Sequence, residues 1–168
     1  MKTNNFHLPK RPRLHKSQYQ GAKKYFVTIK TFNNIKYFTK KDNIDFIEKY
    51  LKKISDKYCF DIWLYLFMPD HLHILFWAQN KNCNLEKLIK EFKQKTGFYF
   101  KKYTNHNLWA KSYFDHILRN EDSVEEVVYY ILNNPVRKDL VKKWIDYKYW
   151  GSTLFEKDVF IYGRIKDK

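Results

Sequence analysis

The stretch FMPDHLHILF, residues 67–76, sets two imidazoles one residue apart inside an apolar run. In an extended strand, residues i and i+2 point to one face about 6–7 Å apart, so His71 and His73 converge while Leu72 and Ile74 turn the other way. Two nitrogens so placed can hold one metal ion; the plain alternative is a pair of half-buried histidines that satisfy hydrogen bonds. Further along, VVYYILNNPV puts Tyr130 and Asn134 four residues apart, which on a helix means one face and neighbouring turns. Asn134 can lend a carbonyl oxygen to a metal held by the histidines, and Tyr130 would then stand beside it. Ordinary aromatic packing is the alternative, in a chain with 14 tyrosines. A phenol with its usual pKa of about 10 is a weak nucleophile, yet it can attack phosphorus in line when a metal polarises the phosphate. The product, a covalent phosphotyrosine, conserves the energy of the broken linkage and permits joining as well as cutting.

These residues need elements to position them. Residues 25–32, YFVTIKTF, predict a first strand, followed by a turn at Asn33 and Asn34 and a short extended piece, IKYF. Asp42 reads as a helix N-cap ahead of Ile44, Ile47, Tyr50, Leu51 and Ile54, whose spacing predicts a helix to about Lys57. FDIWLYLF predicts a second strand, Met68, Pro69 and Asp70 a turn, and His71 to Trp77 a returning third strand. From Asn84, the stripe Leu85, Leu88, Ile89 and Phe92 predicts a second helix. Trp109 to Arg119 reads as a last strand. Ser123 and Glu126 form a capping box for a third helix with Val124, Val127, Val128 and Ile131 inward, and Pro135 stops or kinks it. This order predicts an α+β fold: a ferredoxin-like antiparallel sheet with helices on one face.

At 168 residues and 44% apolar the chain suits a single domain. Its net charge of +15 points to a polyanion, nucleic acid first, and eleven basic residues precede the first acidic one, Asp42. Lys93, Lys95, Lys101 and Lys102, interleaved with Phe98, Tyr99, Phe100 and Tyr103, make the second helix a track for a DNA backbone and its bases; the alternative is a solvated face. Arg11, Arg13 and Lys16 suit the groove of a nucleic-acid stem. Arg119 packs or touches the DNA backbone. Two cysteines support neither a disulfide framework nor a cysteine zinc site, which fits a reduced cytosol. No run approaches the roughly 20 apolar residues that span a bilayer, so the expectation is a cytoplasmic, nucleoid-associated protein with no membrane role.

Three motifs in order carry a family resemblance. The run Met68-Pro69-Asp70-His71-Leu72-His73-Ile74-Leu75 resembles the histidine-hydrophobic-histidine motif of HUH single-strand endonucleases, specifically the IS200-like and REP-associated tyrosine transposases. Trp109, then Phe114, Asp115, His116, Ile117, Leu118 and Arg119, then Tyr130, Ile131, Asn134, Pro135 and Val136 are similar to the same family's downstream pattern. Ala110 and Leu118 depart from its commoner residues. The resemblance implies an HUH endonuclease fold, with residues 1–20 as a basic arm, 21–145 as the catalytic domain and 146–168 as a tail. It further implies His71, His73 and Asn134 as ligands of Mg2+ or Mn2+, and Tyr130 as the nucleophile leaving a 5′-phosphotyrosine and a free 3′-hydroxyl. Tyr129 is the rival nucleophile, but the family's reactive tyrosine directly precedes isoleucine. Asp115 and His116 either orient the site from behind or pin their strand. Single-stranded or hairpin DNA is the implied substrate, handled by a monomer or a homodimer. A different class of reading keeps the sheet and the charge without the chemistry: a non-catalytic module or regulator that binds single-stranded DNA or RNA.

Overall fold

The computed structural model describes residues 14–119 and 122–156. Strands β1 (Lys24–Lys30), β2 (Phe60–Met68), β3 (His71–Ala78), β4 (Phe114–Leu118) and β5 (Trp150–Gly151) form one antiparallel sheet in the order β4-β1-β3-β2-β5. Helices α1 (Lys41–Lys57) and α2 (Leu85–Thr104) make the two crossovers. The first four strands and these two helices are the ferredoxin-like α+β core that the sequence order predicts.

Strand alternation divides the apolar residues between two faces. Tyr25, Val27 and Ile29 of β1 and Leu72, Ile74 and Phe76 of β3 pack with Ile47 and Leu51 of α1 and Leu88, Ile89 and Phe92 of α2. Phe26 of β1, Leu64 and Leu66 of β2 and Leu75 of β3 lie on the other side. They pack with Val127, Val128, Ile131 and Leu132 of the third helix, α3 (Val124–Leu132). The two crossover helices thus share a face, while α3 covers the opposite one, where His71 and His73 also point. Ser123 caps α3 by accepting the Glu126 amide at 3.3 Å, as its capping box predicts. Beyond α3 the chain does not simply stop at Pro135: Asn133 ends α3, and Asn134–Arg137 form one more short turn, α4, with the proline at its start where no amide is needed.

Several local expectations are corrected. Lys40, not Asp42, precedes α1, with no side-chain cap, and Asp42 instead brings its charge into the first turn. Residues 35–38 do not pair back as a strand: Tyr37–Thr39 make a 3-10 turn that buries Phe38 against Phe67, ring centroids 5.1 Å apart. Only Phe114–Leu118 of the 109–119 stretch is strand, because Trp109 turns inward and donates its indole N–H to Thr96 at 2.8 Å. Part of the C-terminal tail is built into the sheet. Phe67 donates its amide to the Tyr149 carbonyl at 2.8 Å, the Tyr147 hydroxyl donates to the Phe67 carbonyl at 2.7 Å, and burial pushes that phenol up to about 12. Gly151 lies opposite Tyr65, where a Cβ would strike the tyrosine hydroxyl, so only glycine permits this close approach.

Candidate functional site

The two histidines sit at the start of β3, directly after the turn at Pro69 and Asp70. That turn is held from outside: Thr31 donates its amide and its hydroxyl to the Asp70 carbonyl, and Phe38 its amide to the Pro69 carbonyl at 3.0 Å. The rings meet through their Nε2 atoms, 3.0 Å apart. Each Nδ1 has a separate partner: Asp70 Oδ1 at 2.6 Å from His71, and Thr28 Oγ1 at 2.8 Å from His73. In the tautomer in which each Nδ1 donates to its oxygen, both Nε2 lone pairs face one point. Two ligands about 2.1 Å from one octahedral ion stand about 3.0 Å apart, so the separation suits neighbouring vertices of such a site.

The electrostatics agree with that role. Burial holds the His71 imidazole below its ordinary pKa despite the carboxylate of Asp70, and nearby Lys30 and Lys138 push the same way. His73 lies well below its ordinary value, through burial first, then His71 and Arg137. Neutral imidazoles at pH 7 are available as ligands, in a field made positive by Lys30, Arg137 and Lys138 that favours a phosphate.

Helices α3 and α4 bring the downstream candidates to this face. Phe26 stacks on His73 with ring centroids 5.6 Å apart and 23° between planes, and Tyr130 meets Phe26 edge-on at 6.2 Å. One aromatic ring therefore separates the phenol's ring from the imidazole. The Arg137 guanidinium lies over the Tyr130 ring, 4.6 Å from its centroid. Asn134 is buried; its amide nitrogen donates back to the carbonyls of Tyr130 at 2.9 Å and Ile131 at 3.2 Å, so its Oδ1 is the end turned from its own helix. Tyr129, by contrast, is 66% exposed on the outer side of α3. Among the described residues no group of three or more histidine, cysteine or acidic side chains is placed to hold a metal.

Other predicted positions fall elsewhere. Asp115 lies on the opposite face of β4, buried, where its carboxylate accepts the Leu14 amide at 3.0 Å and the Tyr19 hydroxyl at 2.6 Å, tying the N-terminal segment to the sheet. His116 is on the site face, paired through Nε2 with Asp122 at 3.2 Å. Arg119 is exposed just past β4. Lys93 donates to the carbonyls of Ala110 and Lys111 at 2.9 and 3.0 Å, Lys95 pairs with Glu91 at 2.8 Å, and Lys101 and Lys102 are exposed. Arg11, Arg13 and the side chain of Lys16 lie outside the described residues. The sequence reading misses Phe26, Thr28 and Arg137 and takes Asp70 only as a turn residue. A carboxylate adjoining His71 was the one visible signal; the others depend on strand pairing and on the α3–α4 junction.

Comparison with known proteins meets this geometry. The family model described as "Transposase IS200 like" matches residues 20–134, most of the chain and all of the residues from β1 to Asn134. The chain belongs to the IS200-like transposase family. Within it, a Haemophilus influenzae protein named as a candidate REP-associated tyrosine transposase is 24% identical over 151 residues, covering 80% of this chain and 81% of its own length. The REP-associated tyrosine transposase of Escherichia coli is 26% identical over 104 residues, 60% of this chain and 57% of its own. A solved REP-associated tyrosine transposase bound to a REP hairpin shares the fold, with a TM-score of 0.71 at 18% identity over 96% of this chain and 95% of that one. Among the described residues of this IS200-like transposase no helix is long and apolar enough to cross a membrane.

Proposed function

We propose that this chain nicks and joins single-stranded DNA at hairpin or repeat sequences, with Tyr130 as the nucleophile and a divalent ion, Mg2+ or Mn2+, held by Nε2 of His71 and His73 and Oδ1 of Asn134. What carries the reading is the imidazole pair, with both Nε2 atoms converging and both Nδ1 atoms held, on the sheet face that also bears Tyr130 one ring away. Bound there, the cation would polarise the scissile phosphate and neutralise charge as it develops. The ligand chemistry suits Mn2+ at least as well as Mg2+, since imidazole is a softer donor than Mg2+ prefers.

The chain's own residues do the rest. The Tyr130 oxygen forms a bond to phosphorus and loses its proton; the bond from phosphorus to the 3′ oxygen breaks, and that oxygen leaves as a hydroxyl after taking up a proton. The 5′ phosphate then remains on the tyrosine, and attack by another 3′-hydroxyl reverses the step to join strands. Arg137, beside both the phenol ring and His73, adds positive charge where the pentacoordinate phosphate forms. A hairpin substrate is supported by the solved relative, whose structure holds a REP hairpin, and by the net charge of +15.

Tyr130→Phe tests this. With a hairpin library and Mn2+, the wild type should leave a DNA adduct that survives denaturing electrophoresis, and the variant should lose it by at least about 1,000-fold while still binding hairpins. An undiminished adduct in the variant transfers the role to Tyr129, and hairpin binding without any wild-type adduct favours the non-catalytic module.

A further inference from the structure

We infer that the groove between α2 and the 105–111 loop binds the single-stranded segment contiguous with the hairpin, stacking its bases on Phe98 and Phe32 and pairing its phosphates with Lys101 and Lys111. The inference deepens the proposed reaction and rests on it for the identity of the substrate. The groove encloses about 470 Å3. Lys93, Gly97 and Lys101 follow one another at four-residue spacing along one side of α2, and Gln94 and Phe98 flank them. Phe32 enters from the connection after β1, fixed by its amide donating to the Leu108 carbonyl at 2.8 Å.

Three observations select this occupant. Phe98 is 65% exposed and Phe32 38%, aromatic faces that the fold leaves in solvent beside lysines rather than in the core. The groove lining contains three lysines and no acid. Glu91, the carboxylate one helical turn before Lys95, stays ionised but has its charge paired with Lys57 and Lys95, and it does not line the groove. An unpaired strand offers both features the groove matches, π faces and regularly spaced phosphates, whereas a duplex keeps its bases stacked out of reach.

The groove is also built and joined to the histidines. Lys93 ties the 110–111 backbone to α2 through hydrogen bonds to the Ala110 and Lys111 carbonyls, which fixes the wall before any DNA arrives. Ala110 donates its amide to the Lys30 carbonyl at 2.9 Å, and Lys30 is the cross-strand neighbour of His71. A second recess, about 420 Å3, continues from Ala110 past Ser112 and Phe114 to Thr28, the partner of His73. A strand seated on Phe98 and Phe32 therefore has a path, lined also by Lys30, Tyr113 and Asp115, as far as Thr28, the residue bonded to His73.

The test measures full-length protein by fluorescence anisotropy with an oligothymidylate of about 12 nucleotides, within the usual span of such sites, and no hairpin. Phe98→Ala and Phe32→Ala should each weaken binding by about fivefold or more, and Lys101→Ala should reduce the slope of log affinity against log salt by about 0.7. Lys53→Ala, an equal charge change on exposed α1, should stay within twofold. Melting curves of Phe98→Ala should match the wild type, since the ring is mostly in solvent. Wild-type affinity in both phenylalanine variants overturns the groove. If those variants weaken binding while the wild type forms no covalent adduct on hairpins, the groove stands and the nicking reaction falls.

Discussion

The two faces of this sheet are made of alternate residues of the same strands, yet they are built on different terms. On the face under α1 and α2, residues 72, 74 and 76 of β3 are a leucine, an isoleucine and a phenylalanine, all buried, and each fully buried side chain of this kind contributes roughly 1.5–3 kcal/mol. On the face under α3, residues 71 and 73 are histidines, and burial disfavours their charged forms. One register thus serves both purposes: hydrophobic packing on one side fixes the strand positions on which imidazole geometry on the other side depends. A slip of one residue would exchange the two sets completely.

That division can be broken from either side. The largest change expected is from Phe92→Ala on the helical face: about 3–5 kcal/mol lost in denaturant unfolding, with Mn2+ affinity of the remaining folded protein unaltered by calorimetric titration. Thr28→Val does the opposite. Loss of the Nδ1 partner of His73 should weaken Mn2+ binding about 10–100-fold while costing only about 1–2 kcal/mol of stability. A titration that finds both variants affecting both properties equally would dissolve the comparison.

Between pH 7.5 and 5, above the range where Glu91 takes up a proton, acid should act chiefly through the site face. His71 and His73 have folded pKa values below that of an unfolded histidine, so as pH falls through about 6.5 the unfolded chain takes up protons that the folded chain refuses. With a chelator present, stability should therefore decline below pH 6.5, with a limiting slope of about 1.4 kcal/mol per pH unit for each imidazole, until the folded values are reached. Denaturant midpoints measured between pH 7.5 and 5 check this, and His73→Gln should flatten the curve. The smallest effect belongs to Gly97→Ala, on the groove side of α2. The new methyl would sit 3.8 Å from the Trp109 ring, an ordinary contact, so helix propensity should raise stability by about 0.5–1 kcal/mol.

Periodicity makes much of this architecture legible in the sequence. Runs of β-branched and aromatic residues bounded by turn signals predict β1, β2 and β3, and the 3.6-residue stripes predict α1, α2 and α3, because that composition and spacing express burial. Asp42 misleads because a favourable cap type one residue inside a helix looks the same in sequence as one at its boundary. Trp109 misleads because its burial comes from the Thr96 hydroxyl and the rings of Phe38 and Phe92, partners distant along the chain. At the site, the same-face placement of His71 and His73 follows from their spacing. Their supporting atoms do not: Thr28 meets His73 only through the β1–β3 register, and the Arg137 contact with Tyr130 only through the turn at Asn133.

Phe26 has no reactive atom, yet it lies between the imidazole of His73 and the ring of Tyr130 and acts as a spacer between them. On the proposed assignment, the reach from ligand to attacking group would be set by this ring, its centroid 5.6 Å from one partner ring and 6.2 Å from the other. A leucine there would keep the hydrocarbon but remove both ring contacts, so a side chain with no chemistry of its own would set the spacing of the two groups proposed to have it.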